Sequence, residues 1–239
     1  MIGEPPLLRV RRRFERPELA EIERLRGVQT GHLADAMSGR GALAPTIRPV
    51  LGEEPQFSRV LGIAIPCACA PNDNLALCAA LALAGPGDVL VVATEGFTGS
   101  AICGDILAGM ARNRGVVGIV TDGAVRDRAG LRQVGLPVFA AAITPNSCMR
   151  NGPGTVGLPV VIGGVAVAAG DVVVADEEGV VVVPRAELAT VLQRLAAVQA
   201  AERAMLEQVA TGLDLAPAMA ELLASPRIEW IEEEEGGRR

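Results

Sequence analysis

Asp105, Arg126 and Asp127 are the residues whose types and spacing could carry chemistry in this chain. They lie in the run GDILAGMARNRGVVGIVTDGAVRD (104–127). Asp105 stands at a helix start, and the Arg-Asp pair follows the next strand after an interval of twenty residues. That interval suits one helix, one strand and a glycine turn, so the three side chains can meet at one end of a sheet. Open α/β sheets bind ligands beyond the carboxyl ends of their strands. There an arginine can grip a carboxylate or enolate with two parallel hydrogen bonds, and an aspartate can ligate a hard cation. The unpaired N–H groups of Ile106 and Leu107 in a first helical turn would favour a substrate carboxylate. Each piece also has a plainer reading. Gly-Asp before an apolar run is an ordinary capping signal, and Asp127 could cap a helix while Arg126 pairs on the surface. Asp122, next to Gly123, reads as a turn residue.

The rest of the composition removes competing chemistries. All 22 basic residues are arginine, so a lysine Schiff base is closed. His32 is the single histidine, which closes a His-rich zinc site. The five cysteines show no zinc-like pair of CxxC spacings and read as reduced thiols that pack as small hydrophobes. Cys103, beside the charged block, has a functional alternative. Four Phe, one Trp, no Tyr and a net charge of -6 argue against a reader that stacks nucleic-acid bases. Neither a signal-peptide core nor an apolar stretch of about 18 residues is found, so a cytoplasmic protein with no membrane or nucleic-acid partner is expected.

The elements that must position the block read as α/β, with strands and helices alternating from Arg59 onward. Strands are expected at 59–67, 88–94, 116–123 and 137–142, and helices at 74–85, 101–115 and 126–135. The stretch 158–184 is almost pure β, with turns at Gly163-Gly164, Gly170-Asp171 and Glu178-Gly179, and predicts hairpins that cover or extend the sheet. Before the core, the basic run from Arg9 to Arg16 leads into an amphipathic helix over 17–26. A short helix over 30–39 follows, with Thr30 as its cap, and then a Pro/Gly-rich connection over 41–55. After it come helices over 186–209 and 215–223 and a polar tail. A single domain is expected, with a core at about 40–185, an N-terminal helical arm over 1–40, C-terminal helices over 186–225 and a mobile acidic tail over 226–239.

Several ordered blocks then resemble one family: CAPNDN (69–74), GPGDVLVV (85–92), GDILA (104–108), RGVVGIVTDGAVRD (114–127), LPVF (136–139) and GGVAVAAGDVVVADEEGVVVVP (163–184). From roughly Gly27 to Gly212 the chain is similar to the RraA-like family. That family contains 4-hydroxy-4-methyl-2-oxoglutarate aldolases, oxaloacetate decarboxylases and the regulator of ribonuclease E activity. The resemblance implies a layered β/β/α core of the swivelling-domain type and a metal-dependent pyruvate aldolase. It implies that Asp127 binds Mg2+ or Mn2+ directly and that Asp105 acts through a metal-bound water. Arg126 would contact the substrate's oxygens, and Gly104, Asp105, Ile106 and Leu107 would receive the pyruvyl carboxylate. A neighbouring subunit would add an acidic residue, best matched by Glu202, in a homotrimer or homohexamer. The absence of lysine agrees, because the enolate must then be stabilised by a metal, and the lack of a histidine cluster favours an oxygen-liganded hard ion. The alternative is a non-enzymatic regulator that binds a ribonuclease, with the basic run Arg9 to Arg16 and the acidic tail as partner surfaces.

Lesser candidates have two readings each. His32 could shuttle a proton or sit at a helix surface or interface. Asn72 and Asn74 could line the pocket or stabilise a turn. Gly96 and Gly99 could admit a ligand or merely loosen a loop.

Overall fold

The computed structural model describes residues 6–231. Most of the expected mobile tail, from 232 onward, lies outside the described residues. Strand β1 (Leu8–Val10) and helices α1 (Leu19–Glu23) and α2 (Thr30–Ala36) lead to β2 (Arg48–Pro49), α3 (Pro55–Ser58) and the long strand β3 (Val60–Cys69). Next come α4 (Leu75–Leu83), β4 (Asp88–Ala93), β5 (Ala101–Cys103) and α5 (Asp105–Asn113). They are followed by β6 (Gly118–Thr121), β7 (Ala124–Val125), α6 (Arg128–Val134), β8 (Val138–Ala140) and β9 (Ala142–Ile143). The β-rich run supplies β10 (Gly154–Val156), β11 (Val160–Ile162), β12 (Val165–Val167), β13 (Val172–Asp176) and β14 (Gly179–Val183). Helices α7 (Leu188–Ala210) and α8 (Pro217–Leu223) complete the order.

A nine-stranded mixed sheet organises the larger unit, residues 1–198. Its centre, β3-β4-β6-β8, is parallel, as βαβ crossovers require. Strands β10 and β13 run antiparallel to β3, and the β13–β14 hairpin branches from it. Side chains alternate across β3: Ile65, Cys67 and Cys69 face the helices, while Val60 and Ala64 face the layer that includes β11–β12. The hairpin readings hold in both forms, since β11–β12 covers the sheet as a separate pair and β13–β14 extends it.

A second, three-stranded parallel sheet, β5-β7-β9, is the part the sequence pattern did not reveal. The helix expected over 101–115 begins only at Asp105, and Ala101–Cys103 is a fully buried strand. Three apolar residues ahead of a helix are too short for periodicity to tell strand from helix. The connection over 41–55 likewise contributes β2, which pairs with β8.

The basic N-terminal run is not a free arm. Leu8–Val10 adds to the sheet edge beside β10, and Arg16 reaches the fully buried Asp88 with two hydrogen bonds of 2.5 and 3.0 Å. A buried carboxylate needs such a partner, and Gly85 N–H donates to it as well at 2.8 Å. Helix α1 is shorter than expected because Pro17 and Glu18 remain extended before it. The smaller unit, residues 199–239, holds the second half of α7 and α8, and none of its described residues is buried.

Thr30 does not cap its own helix. Its N–H and hydroxyl both donate to the buried Asp176, at 2.8 and 2.7 Å, and Glu178 N–H donates to the same carboxylate at 3.0 Å. A distant aspartate thus satisfies the start of α2. Asp176→Ala would leave those donors unpaired and is expected to lower stability by about 3 kcal/mol. A urea-unfolding midpoint unchanged from the parent protein would contradict this.

Candidate active site

Strand β5 ends at Cys103 and β7 ends at Val125, and these two residues are parallel partners. The pairing continues one step further, with Arg126 N–H donating to the Cys103 carbonyl at 3.0 Å. Gly104-Asp105 and Arg126-Asp127 must therefore emerge side by side. The twenty-residue interval is consumed by α5, β6 and the Asp122-Gly123 turn before β7.

Two glycines make the crossing possible. A Cβ on Gly104 would collide with the Asp127 carboxylate, whose Cγ lies 3.3 Å from that position. A Cβ on Gly130, inside α6, would lie 2.7 Å from Cγ of Asp105. Each carboxylate is thus fitted against the missing side chain of a glycine on the opposite segment. Asp127 also occupies the left-handed region, φ 59° and ψ 45°, at the residue before α6. That conformation is uncommon for a residue with a Cβ, though aspartate tolerates it better than most, and such strain concentrates at functional positions. Arg126 Nε lies 3.2 Å from Asp127 Oδ2, and its Nη1 donates to Ser147 Oγ. The guanidinium is held from two sides.

Asp105 is the first residue of α5, after an extended Gly104 that offers no side-chain cap. The helical ladder begins with Ala108 N–H donating to the Gly104 carbonyl at 3.1 Å. The first-turn N–H groups, including those of Ile106 and Leu107, precede this bond, and their residues line a cleft of about 140 Å³. Gly104, Asp105, Ile106, Leu107, Arg126 and Asp127 all line it. All the expected site residues of the larger unit are therefore brought to one place. Glu202, the residue expected from a neighbour, is exposed on α7 within the smaller unit.

Other candidates resolve individually. Asn74 lines the cleft, whereas Asn72 takes a left-handed turn conformation and its carbonyl receives Met149 N–H at 2.8 Å. His32, Gly96 and Gly99 are not among the cleft-lining residues. Asp122 is structural, accepting Thr94 N–H at 2.7 Å and Gly96 N–H at 3.1 Å. Cys103 borders the cleft but is buried, its thiol donates to the Gly104 carbonyl at 3.3 Å, and burial pushes its pKa up to about 12. In this structure the thiol packs as a small hydrophobe. Ser147, Cys148 and Arg150 also line the cleft. The sequence reading missed them because they sit in an irregular loop that no periodicity or spacing marks.

The carboxylates of Asp105 and Asp127 in one cleft offer oxygen ligands to a hard cation. Among the described residues no group of three or more His, Cys, Asp or Glu side chains gathers as a cation site. Magnesium fits this arrangement, because it is commonly held by one or two carboxylates while keeping several waters.

Comparison with known proteins identifies the family. Residues 30–182 match the RraA-like family, described as Aldolase/RraA. The chain belongs to the RraA-like family. A protein of Halalkalibacterium halodurans, provisionally named a 4-hydroxy-4-methyl-2-oxoglutarate aldolase, is 36% identical over 187 residues, which is 78% of this chain and 87% of that protein. The RNA-processing inhibitor RraA from Thermus thermophilus shares the fold with a TM-score of 0.59 and 32% identity, covering 66% of this chain and 93% of the other. An uncharacterized protein from Pseudomonas syringae pv. tomato reaches a TM-score of 0.70 at 26% identity, covering 84% and 96%. Membership in the RraA-like family thus agrees with the layered α/β fold. No helix among the described residues is long and apolar enough to cross a membrane.

Two outcomes follow from this packing. Alanine inside a helix ordinarily gains about 1 kcal/mol over glycine, but Gly130→Ala must push against Asp105 and is expected to lose about 1–3 kcal/mol. A raised melting temperature for this variant would contradict the fitted packing. Cys103, neutral at pH 8, is expected to resist iodoacetamide in the folded protein and to react after unfolding in urea. Mass-spectrometric detection of alkylated Cys103 in the native protein would contradict its burial.

Proposed function

We propose that the chain is a divalent-metal-dependent lyase that cleaves 4-hydroxy-2-oxo acids, such as 4-hydroxy-4-methyl-2-oxoglutarate, to pyruvate. The observation that carries this reading is the convergence of Asp105, Arg126 and Asp127 on one cleft at the start of α5. The same site would decarboxylate oxaloacetate, because both reactions pass through the enolate of pyruvate.

The residues divide the work by chemistry. Asp127 would hold Mg2+ or Mn2+ directly and Asp105 through an intervening water. When bound, the ion supplies Lewis-acid polarisation of the 2-oxo group. The first-turn N–H groups of Ile106 and Leu107 bind and orient the pyruvyl carboxylate. Arg126, restrained by Asp127 and Ser147, places its remaining donors where negative charge develops on the enolate oxygen. Glu202 of a neighbouring subunit would complete the site in a trimer or a pair of trimers, and cytoplasmic placement accords with the reduced thiols. A ribonuclease-binding regulator is the second reading, favoured by the 32% identity to the Thermus thermophilus inhibitor.

Release of pyruvate from 4-hydroxy-4-methyl-2-oxoglutarate or oxaloacetate is expected to require added Mg2+ or Mn2+ and to stop with EDTA. Arg126→Ala is expected to lower kcat by about 10²–10³-fold, the usual cost of removing an oxyanion donor. Full turnover in the metal-free protein or in that variant would overturn these roles. Specific co-purification with a ribonuclease, without lyase turnover, would favour the regulator.

A further inference from the structure

The nine-stranded sheet ends in an open edge that carries unbalanced positive charge. Strand β1 is its terminal strand, and among the described residues only β10 pairs with it. Leu7 and Arg11 turn their backbone groups toward β10. The Leu7 carbonyl receives Gly154 N–H at 3.0 Å, and Arg11 N–H donates to the Val156 carbonyl at 2.8 Å. Backbone direction alternates along a strand, so the N–H and C=O groups of Leu8 and Val10 face outward. A row of unpaired groups of this kind is a template for another strand.

The segment that carries this edge is held in place. Glu15 pairs with Arg185 at 2.6 Å and Arg16 with Asp88 at 2.5 Å, which anchors the chain beyond the strand. Arg9, Arg11, Arg12 and Arg13 are exposed, and among the described residues no carboxylate pairs with any of them. The chain as a whole is acidic, at -6, so these four arginines are a local excess. Like charges placed opposite each other repel, so β1 is kept from pairing with the same edge of a second copy. An acid-rich strand meets no such barrier.

The sequence contains one run of four carboxylates, Glu232 to Glu235. Ile228, Glu229, Trp230 and Ile231 stand immediately before it, and their β-branched and aromatic members favour strands. Residues 228–231 have no regular secondary structure, and Trp230 and Ile231 are 70% and 88% exposed. Both segments place apolar residues first and charge after. Leu7, Leu8 and Val10 precede Arg11 to Arg13, as Trp230 and Ile231 precede the four glutamates. A parallel alignment sets the apolar residues side by side and brings the glutamates to the arginines; an antiparallel one does neither. We propose that residues 228–235 of a second copy add to the outer edge of β1 as a parallel strand, with the glutamates against Arg11 to Arg13. Strand addition of this type takes affinity from main-chain hydrogen bonds and specificity from side chains.

Trp230 is the single tryptophan of the chain, so its fluorescence reports docking by itself. Acrylamide, a neutral quencher, is applied to the full-length protein. Trp230 is expected to be shielded at about 0.01 M salt and to lose that shielding at about 1 M, where the Debye length falls from about 30 to about 3 Å. The variant Arg11→Glu, Arg12→Glu, Arg13→Glu should lose the shielding even at low salt. Adding Glu232→Arg, Glu233→Arg, Glu234→Arg and Glu235→Arg to that variant should restore it. Shielding that survives reversal of the arginines, or that the charge swap does not restore, overturns the pairing. The second copy is tested by mixing the arginine-reversed chain with a chain that keeps its arginines but carries Trp230→Phe and the four Glu→Arg changes. Shielding of Trp230 that appears on mixing and grows with concentration is expected. A mixture that stays unshielded while the wild type is shielded overturns docking on a second copy.

Discussion

The short parallel pairing of β5 with β7 is the constraint on which the site depends. A hydrogen bond from Arg126 N–H to the Cys103 carbonyl brings together two segments that are far apart in sequence. Neither strand could stand alone, since each has only two or three residues. They persist because Ala101, Ile102, Cys103, Ala124 and Val125 are all buried. The larger sheet sets the direction of each crossover, and the small sheet converts that direction into a side-by-side exit for the charged residues.

Once the exits are adjacent, close approach becomes the difficulty. Two carboxylates, a guanidinium and a helix start must share a small volume without collision. Gly104 and Gly130 supply the missing Cβ atoms, and the left-handed turn at Asp127 redirects the chain straight into α6. Positions that local propensity would give to a residue with a side chain are occupied by glycine. A position that favours glycine is occupied by aspartate. Both departures from local preference fall at the same place, which is where a site is expected to hold them.

That concentration explains what could be read from the sequence. The alternation of β3, β4, β6 and β8 with helices was legible because each carries a long apolar run bounded by glycine or proline. Asp105, Arg126 and Asp127 were legible because their spacing matches one crossover. Strand β5 was not, because three apolar residues before a helix look like the helix itself. The cap of α2 was not, because its acceptor, Asp176, is 146 residues from Thr30. The loop carrying Ser147 and Arg150 was equally silent. Its shape is set by hydrogen bonds to the turn at 72–75 and to β5, contacts that leave no periodic trace.

The division between the legible block and the silent loop has a chemical counterpart. Gly104 to Asp127 contains what any enolate chemistry here needs: amides for a carboxylate, an arginine for developing charge and oxygen donors for a hard ion. Those requirements are common to every 2-oxo acid that yields pyruvate, so this block alone does not discriminate among them. Discrimination must come from groups that meet the rest of the molecule, and the loop that contains Ser147, Cys148 and Arg150 lines the same cleft. That loop has no regular secondary structure and is tied both to the turn at 72–75 and to β5, where Ala101 N–H donates to the Asn146 carbonyl at 2.9 Å. Because those ties run through backbone groups, its side chains could change while the β5–β7 pairing stays, so one reactive centre could serve different acids on an unchanged sheet.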